Sequence, residues 1–221
     1  MNIDVVSDLH GFHPTLEGGD LLVIAGDLTA RDESFQYERF FSWCSGLNYK
    51  KIILIGGNHD NKLTEEEPQE SGCPSVVSNW MDFRKMAYLF DSGAEFEGLK
   101  IWGSPWTKTF LGMNPKCKAF AVDTESELAK KWALIPENTD LLVTHSPPYG
   151  IRDTVVDGEK MKSVGSTTLL TRIQAIRPKV VIFGHIHEAY GQIERDGITY
   201  INASHVNEWY RPVNKPIRIQ L

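Results

Sequence analysis

The sequence predicts a layered α/β protein (α/β, or α+β in layers), in which a mixed β-sheet packs against helices. Short runs rich in Val, Ile and Leu alternate with longer stretches whose apolar residues recur at helical spacing. Five of the short runs are followed within three residues by Asp, Asn or His. With 221 residues and 41% apolar composition, the chain can bury a sizeable core, so we expect a single domain over residues 1–221.

Each predicted element follows from a local pattern in the chain. Strands are expected at residues 3–6, 21–25, 52–55, 99–102, 141–143, 180–183, 191–195, 198–202 and 217–221. Helices are expected at residues 32–47, 79–89, 124–135 and 166–176, where apolar residues recur three and four positions apart. Residues 124–127 have the form of a capping box, and Asp196-Gly197 predicts a hairpin turn between two strands.

Two segments are predicted to be long loops. Residues 64–78 are acidic and contain two prolines, and residues 103–119 contain two prolines and three lysines. Long loops in a compact domain are often functional lids. For residues 64–78, a functional lid and a tolerated surface insertion are equally expected. The second is more readily a lid, because Trp106 and Phe110 are costly to expose.

The composition argues against several classes of protein. A net charge of −6 gives no support to broad nucleic-acid binding, which usually needs a basic stripe. The three cysteines are widely spaced and form no Cys-x-x-Cys pair, so neither a disulfide framework nor a cysteine zinc site is indicated. The sequence shows neither a secretion signal nor an apolar run near the ~20 residues that span a bilayer. We therefore expect a cytoplasmic protein with no membrane partner.

The five apolar runs that end in polar residues predict a metal site. Strands followed by such residues place them at one edge of a sheet, and five of the seven histidines lie at these points. The residues are Asp8, His10, Asp27, Asn58, His145, His185 and His187. Oxygen and imidazole donors without sulfur suit borderline divalent ions such as Mn, Fe, Co, Ni or Zn. Seven ligands are too many for one ion with an open position, so two ions that share one carboxylate are favoured.

These motifs resemble those of the calcineurin-like metallophosphoesterases, in the family's order and over nearly the whole chain. The residues that carry the resemblance are Asp8-Leu9-His10, Gly26-Asp27, Gly57-Asn58-His59-Asp60, His145 and Gly184-His185-Ile186-His187. Further segments, among them Gly103-Ser104-Pro105-Trp106 and Asn202-Ala203-Ser204, are similar to metallophosphoesterase-domain proteins of the cyclic-nucleotide phosphodiesterase type. The resemblance implies a four-layer α-β-β-α sandwich, with two mixed sheets flanked by helices.

The resemblance also implies a role for each site residue. One metal ion would be held by Asp8, His10, Asp27 and His187, and the second by Asp27, Asn58, His145 and His185, so that Asp27 bridges them. His59 would serve as proton donor or charge stabiliser at the leaving group, oriented by Asp60. Manganese is the favoured ion, with Fe, Zn, Ni, Co or Mg as alternatives. All of these positions are present here, which favours a competent enzyme.

The predicted function is a binuclear metal-dependent phosphodiesterase acting on small diesters, with nucleotides or cyclic nucleotides as substrates and a metal-bridging hydroxide as nucleophile. The alternatives are a phosphomonoesterase, a protein phosphatase, or a nucleotide-binding regulator with weak catalysis. Protein phosphatases of the superfamily carry Gly-Asp-x-x-Asp-Arg-Gly, whereas residues 26–32 here lack the Asp-Arg-Gly triplet. Substrate contacts are expected from Trp106, Tyr149 and His205, although aromatic residues more often serve packing.

Overall fold

The computed structural model describes residues 1–64, 79–110, 112–158 and 160–221. The strands are β1 (Asn2–Val6), β2 (Gly19–Ala25), β3 (Tyr49–Ile55), β4 (Met86–Tyr88), β5 (Ser92–Phe96), β6 (Leu99–Ser104), β7 (Thr107–Lys108), β8 (Ala121–Val122), β9 (Leu141–Thr144), β10 (Thr154–Asp157), β11 (Lys160–Ser163), β12 (Val180–Phe183), β13 (Gly191–Arg195), β14 (Ile198–Asn202) and β15 (Ile217–Gln220). The helices are α1 (Ser34–Gly46), α2 (Glu125–Trp132) and α3 (Thr167–Ile176). Among the described residues, no helix is long and apolar enough to cross a membrane.

Two mixed β-sheets form the centre of the fold. The first has the order β15-β1-β2-β3-β4, with β1 to β4 parallel and β15 antiparallel at its edge. The second has the order β13-β14-β12-β9-β6-β5, with four parallel central strands between two antiparallel edge strands. Because the parallel strands of each sheet share a direction, their carboxyl ends meet at one edge, as the sequence predicted.

Alternate side chains of the central strands face opposite layers. In β1, Val5 packs into the apolar layer between the two sheets, whereas Val6 faces α1. In β12, Ile182 faces the other sheet, whereas Phe183 faces α2 and α3. Each sheet is thus buried on both faces, which explains why its strands are almost continuously apolar. The predicted four-layer α-β-β-α sandwich is confirmed.

Local capping signals set the helix boundaries close to those predicted. Thr124 accepts a hydrogen bond from the backbone of Glu127, and Glu127 bonds back to Thr124, which completes the predicted capping box of α2. Ser166 caps α3 through its hydroxyl. The predicted hairpin joins β13 to β14, with Asp196 and Gly197 both at positive φ.

The helix predicted over residues 79–89 is wrong. Asp82 accepts backbone hydrogen bonds from Lys85 and Met86, and this turn leads directly into β4, which pairs with β3. Only part of the predicted apolar helix face is buried, because Trp80 is 46% and Phe83 is 47% exposed. Of the two predicted loops, residues 65–78 lie outside the described part of the chain. Residues 103–119 contain the end of β6 and all of β7, which pairs with β8.

An ion pair between exposed Arg218 and buried Asp4 fastens β15 to β1. Arg218 donates two hydrogen bonds of 2.7 Å to the carboxylate of Asp4, which is only 4% exposed. We expect Arg218→Ala to lower the free energy of unfolding, though by less than the loss of a fully buried pair would, because the arginine is exposed. Urea denaturation checks this. Arg195→Ala, at an exposed position on β13, is the control and should change stability by less than about 0.5 kcal/mol. Equal effects of the two substitutions would contradict this prediction.

Candidate metal centre

The seven predicted metal ligands converge on one edge of the sandwich. Those from the first sheet follow β1, β2 and β3, and those from the second follow β9 and β12. The first sheet supplies Asp8, His10, Asp27 and Asn58, and the second supplies His145, His185 and His187. All but His185 and His187 are classed as buried, so the cluster lies within the edge of the protein and not on its surface.

Several of these residues have left-handed backbone conformations. The φ angles are +51° at Asp8, +43° at His10, +52° at Asp27 and +69° at His185. Left-handed backbone costs a non-glycine residue roughly 1–2 kcal/mol. The turns are held by backbone bonds between neighbouring loops, since Asp8 donates to Gly26 and His10 to Asp27. Strain of this kind, held in place by its surroundings, concentrates at functional sites.

Two glycines leave space for the carboxylates of the cluster. A Cβ on Gly184 would lie 2.0 Å from Oδ2 of Asp8, and one on Gly57 would lie 2.3 Å from Oδ1 of Asp27. Real contacts are never this short, so neither carboxylate could keep its place beside a larger residue. The absence of a side chain at Gly184 and Gly57 therefore lets the backbone lie close to these two carboxylates.

The first predicted ligand group forms a tight cluster. One donor atom from each of Asp8, His10, Asp27 and His187 lies within 4.8 Å of the other three. His10 Nε2 lies 3.3 Å from His187 Nε2 and 3.6 Å from Asp27 Oδ2, and His187 Nε2 lies 3.2 Å from Asp8 Oδ1. The buried Nδ1 of His10 has no hydrogen-bond partner among the described residues. Two imidazoles and two carboxylates facing one point fit a borderline divalent cation.

The second predicted group adjoins the first through Asp27. His145 Nε2 lies 3.5 Å from Asp27 Oδ1 and 3.0 Å from Asn58 Oδ1, and His185 Nδ1 also lies 3.0 Å from Asn58 Oδ1. The two oxygens of Asp27 therefore face different groups, with Oδ2 toward His10 and Oδ1 toward His145. This placement fits a carboxylate shared by two ions.

Neighbouring groups fix the orientation of the ligand rings. His145 Nδ1 lies 2.9 Å from the Ala25 carbonyl, and His187 Nδ1 lies 3.2 Å from the Asn207 carbonyl. A ring that donates through Nδ1 presents its Nε2 lone pair to the cluster. The Asp8 carboxylate is also held in place, because the Ser204 hydroxyl donates a 2.8 Å hydrogen bond to it.

The charges of the cluster prepare it for a cation. Burial alone would raise the pKa of Asp27, but His145 and other histidines beside it lower that pKa well below its usual value. Burial lowers the pKa of His10 to about 4, and burial together with His145 lowers that of His185 to about 3. These rings are neutral at pH 7. Burial acts to lower the pKa of His145, but the charge and hydrogen bond of Asp27, together with Asp8 and the Ala25 carbonyl, raise it to about 9. A bound cation would therefore displace a proton there.

His59 and Asp60 follow Asn58 but face different neighbours. The half-buried His59 ring lies 4.5 Å from the His10 ring, and its backbone N–H donates to Asp27 Oδ1. The fully buried carboxylate of Asp60 accepts backbone bonds from Leu28, Thr29 and Gly57. Burial and the charge of Asp27 raise its pKa to about 7. Asp60 therefore connects the loop that carries Asp27 with the loop that carries His59. That Asp60 orients the His59 ring stays a prediction.

The predicted substrate contacts lie in three different surroundings. Trp106 donates its indole N–H to Asp91 and carries the Lys131 ammonium 3.7 Å from the centre of its ring. Tyr149 is 45% exposed in the turn after β9. His205 is 8% exposed, bonds to Asn214 through Nδ1, and lines a cavity of about 760 Å³. None of the seven predicted metal ligands lines this cavity, which extends beside β15 to Arg218.

Other residues at the site were not singled out from the sequence as site residues. Tyr210 stands over the histidines, with its ring 4.8 Å from that of His10. Thr107 Oγ lies 3.2 Å from His185 Nε2, and Cys117 Sγ lies 3.5 Å from His59 Nδ1. These residues come from the segments after β6 and β14, and no metal-ligand pattern marks them.

Comparison with known sequences places the chain among phosphoesterases. The family profile of the calcineurin-like phosphoesterases matches residues 1–189. Metallophosphoesterase domain-containing protein 1 of Homo sapiens is 36% identical over 233 residues, covering 98% of this chain and 69% of that protein. A 3',5'-cyclic-nucleotide phosphodiesterase of Nostoc sp. is 24% identical over 200 residues, covering 90% of this chain and 66% of that protein.

Comparison with solved structures agrees with the fold. The crystal structure of the protein TT1561 from Thermus thermophilus superposes with a TM-score of 0.59, covering 91% of this chain and 88% of that one. The two sequences are 16% identical, so the likeness concerns the fold alone.

Proposed function

Because this chain belongs to the calcineurin-like phosphoesterases, we propose that it is a metal-dependent phosphodiesterase that hydrolyses small diesters, with nucleotides or cyclic nucleotides as substrates. The observation that carries the proposal is the largely buried cluster of Asp8, His10, Asp27 and His187, adjoined by a second group through Asp27. Without a cation, burying these polar groups together would be costly.

The two ligand groups are proposed to hold two divalent ions. Asp8, His10, Asp27 and His187 hold one, and Asp27, Asn58, His145 and His185 hold the other. When bound, the ions supply positive charge for the phosphate and an activated water for attack on phosphorus. The protein fixes the ligands through the turns at Asp8 and Asp27, and through the carbonyls behind His145 and His187. Manganese is our favoured ion on the family resemblance, and the nitrogen and oxygen donors also suit Fe, Zn, Ni or Co.

His59 is proposed to protonate the departing oxygen. It lies beside the first ligand group and outside both, with its ring 4.5 Å from His10. Its backbone bond to Asp27 fixes the start of the side chain relative to the shared carboxylate. Histidine is the side chain most often used for general acid catalysis, and the ring beside the cluster is placed for that role.

Nucleotide diesters are the proposed substrates because of a relative's activity and because a protein-phosphatase motif is absent. The Nostoc relative is named for cyclic-nucleotide hydrolysis, which favours a diester substrate for this chain. Protein phosphatase activity is disfavoured by the absence of an Asp-Arg-Gly triplet after Gly26-Asp27. A cytoplasmic location fits the free thiols of Cys44 and Cys117. We treat residues 1–221 as one catalytic domain.

A substrate panel tests the proposal directly. The protein is stripped with a chelator, reloaded separately with Mn, Ni, Zn or Mg, and assayed on a bis-arylphosphate, an aryl monophosphate and cyclic nucleotides. We expect turnover of the diesters, best with Mn, and none in the stripped protein. Preference for the monoester would indicate a phosphomonoesterase. Tight nucleotide binding with negligible turnover for every metal would indicate a regulator.

A further inference from the structure

Tyr210 lies against the metal centre although it is not one of the predicted ligands. Its ring centre is 4.8 Å from that of His10, 5.1 Å from His187 and 6.1 Å from His59. The side chain is 50% exposed, so the ring borders both the cluster and the solvent. A residue placed in this way forms part of the wall along which a substrate approaches.

The backbone of Tyr210 is strained. Its φ angle is +56°, which is rare for a bulky residue and costs roughly 1–2 kcal/mol. Asn207 maintains this conformation, because its carbonyl accepts from Tyr210 N–H at 2.8 Å and its side-chain oxygen accepts from the N–H groups of Trp209 and Arg211. The surroundings thus enforce a costly conformation that turns this aromatic ring toward the histidines.

The same asparagine connects Tyr210 to the metal ligands. The Asn207 carbonyl lies 3.2 Å from His187 Nδ1, so one residue orients a predicted ligand and holds the turn that carries Tyr210. The position of the ring is therefore fixed relative to the cluster. The neighbouring Trp209 is 69% exposed and has no ring contact with the histidines among the described residues.

The Tyr210 hydroxyl is available to a ligand. In the described part of the chain, no protein group forms a hydrogen bond with it, whereas the hydroxyl of Tyr190 is bonded to Lys215. A phenol is protonated at neutral pH and can donate a hydrogen bond. Hydrogen bonds to an anion are roughly twice as strong as those between neutral groups, and the anion expected here is a phosphate.

We propose that Tyr210 is a substrate-binding residue whose hydroxyl donates a hydrogen bond to a phosphoryl oxygen of the ester, and whose ring forms the wall of the site beside His10 and His187. The inference rests on the proposed phosphoesterase function, because it takes a phosphate as the ligand of the centre. It adds a direct protein contact to the substrate, supplied by the turn after β14.

The test compares Tyr210→Phe with Trp209→Phe, a change of similar kind one residue away. Binding of inorganic phosphate to the Mn-loaded protein is measured by calorimetry, and metal content by elemental analysis. We expect Tyr210→Phe to weaken phosphate binding about 10-fold, with a matching rise in KM for a diester, while metal content stays unchanged. Trp209→Phe should behave as wild type. Equal phosphate affinity in the two variants would overturn the proposal.

A second variant separates the hydroxyl from the ring. Tyr210→Ala should weaken phosphate binding at least as much as Tyr210→Phe. If Tyr210→Ala weakens binding and Tyr210→Phe does not, the hydroxyl assignment is wrong. Phosphate binding can be measured without turnover, so a failure of the Tyr210 assignment can be distinguished from a failure of the proposed phosphodiesterase function. A protein that binds phosphate through Tyr210 but hydrolyses no diester would overturn the proposed function and leave this inference standing.

Discussion

Asp27→Asn should leave the protein unable to hold two metal ions and lower its phosphoesterase turnover by roughly 1,000-fold or more, equivalent to losing several kcal/mol of transition-state stabilisation. The two oxygens of Asp27 face different ligand groups, and the carboxylate lies at 2% exposure. An asparagine keeps the shape but removes the negative charge and one oxygen donor. Since Asp27 is the only residue shared by the two predicted groups, both ions should be affected.

Metal content and turnover, measured on the same preparations, check this prediction. Asp20→Asn is the matched control, because Asp20 lies near the other end of β2 and pairs with Lys50 at the surface. It should keep two ions and full activity. An Asp27→Asn protein that still holds two ions per chain would show that the carboxylate does not bridge them.

His59→Ala should retain both metal ions and lose roughly 100- to 10,000-fold in turnover for substrates with poor leaving groups, the range expected of a general acid. The loss should be much smaller for a diester with a good leaving group, because a weakly basic aryloxide departs without needing a proton. His59 adjoins the cluster without being a predicted ligand, so its removal should spare metal content.

A series of aryl diesters with leaving groups of increasing pKa measures this effect. His13→Ala is the control, because His13 stacks on Trp43 and makes no ring contact with the site histidines among the described residues. Its turnover should follow the wild-type dependence on leaving group. An equal loss for good and poor leaving groups in His59→Ala would exclude proton donation and favour a role in charge stabilisation.

Within each sheet, the convergence of the predicted ligands could be derived from the strand pattern. Parallel strands bring the residues that follow them to one edge, so Asp8 and Asp27 meet after β1 and β2. The strand pattern does not indicate that His145, from the second sheet, joins them; the family resemblance implied the two packed sheets. The left-handed turns at Asp8 and Asp27 could not be derived in the same way. They depend on bonds between loops far apart in sequence, such as that from Asp8 to Gly26.

Tyr210 shows the limit of reading a site from strand ends. It comes after β14 in an irregular turn, and its approach to His10 depends on how Asn207 closes that turn. Nothing in the local sequence indicates positive φ at a tyrosine. Trp106, by contrast, was singled out from the sequence as a substrate contact. In the structure its indole N–H donates to Asp91, and one face of its ring contacts the Lys131 ammonium.

The error at residues 79–89 has a similar cause. Trp80 and Phe83 recur at helical spacing, but both are about half exposed, whereas Met86 and Tyr88 are buried with the period of a strand. Three residues are too few for that period to be recognised in the sequence. Pairing with β3 decided the outcome, and such pairing is a tertiary effect that overrides local propensity.

The predicted ligands come from both sheets, and this has a consequence for folding. An ion held by Asp8 and His187 would fasten one sheet to the other, at the edge where Ser7 and Ser204 already form a bridge. Binding to the native state alone would add about 2.7 kcal/mol to stability at a metal concentration 100 times the Kd. Thermodynamic linkage is reciprocal, so loosening the apolar layer between the sheets would raise the metal concentration that the protein needs. Added metal should then restore the stability that is lost through core substitutions far from the site.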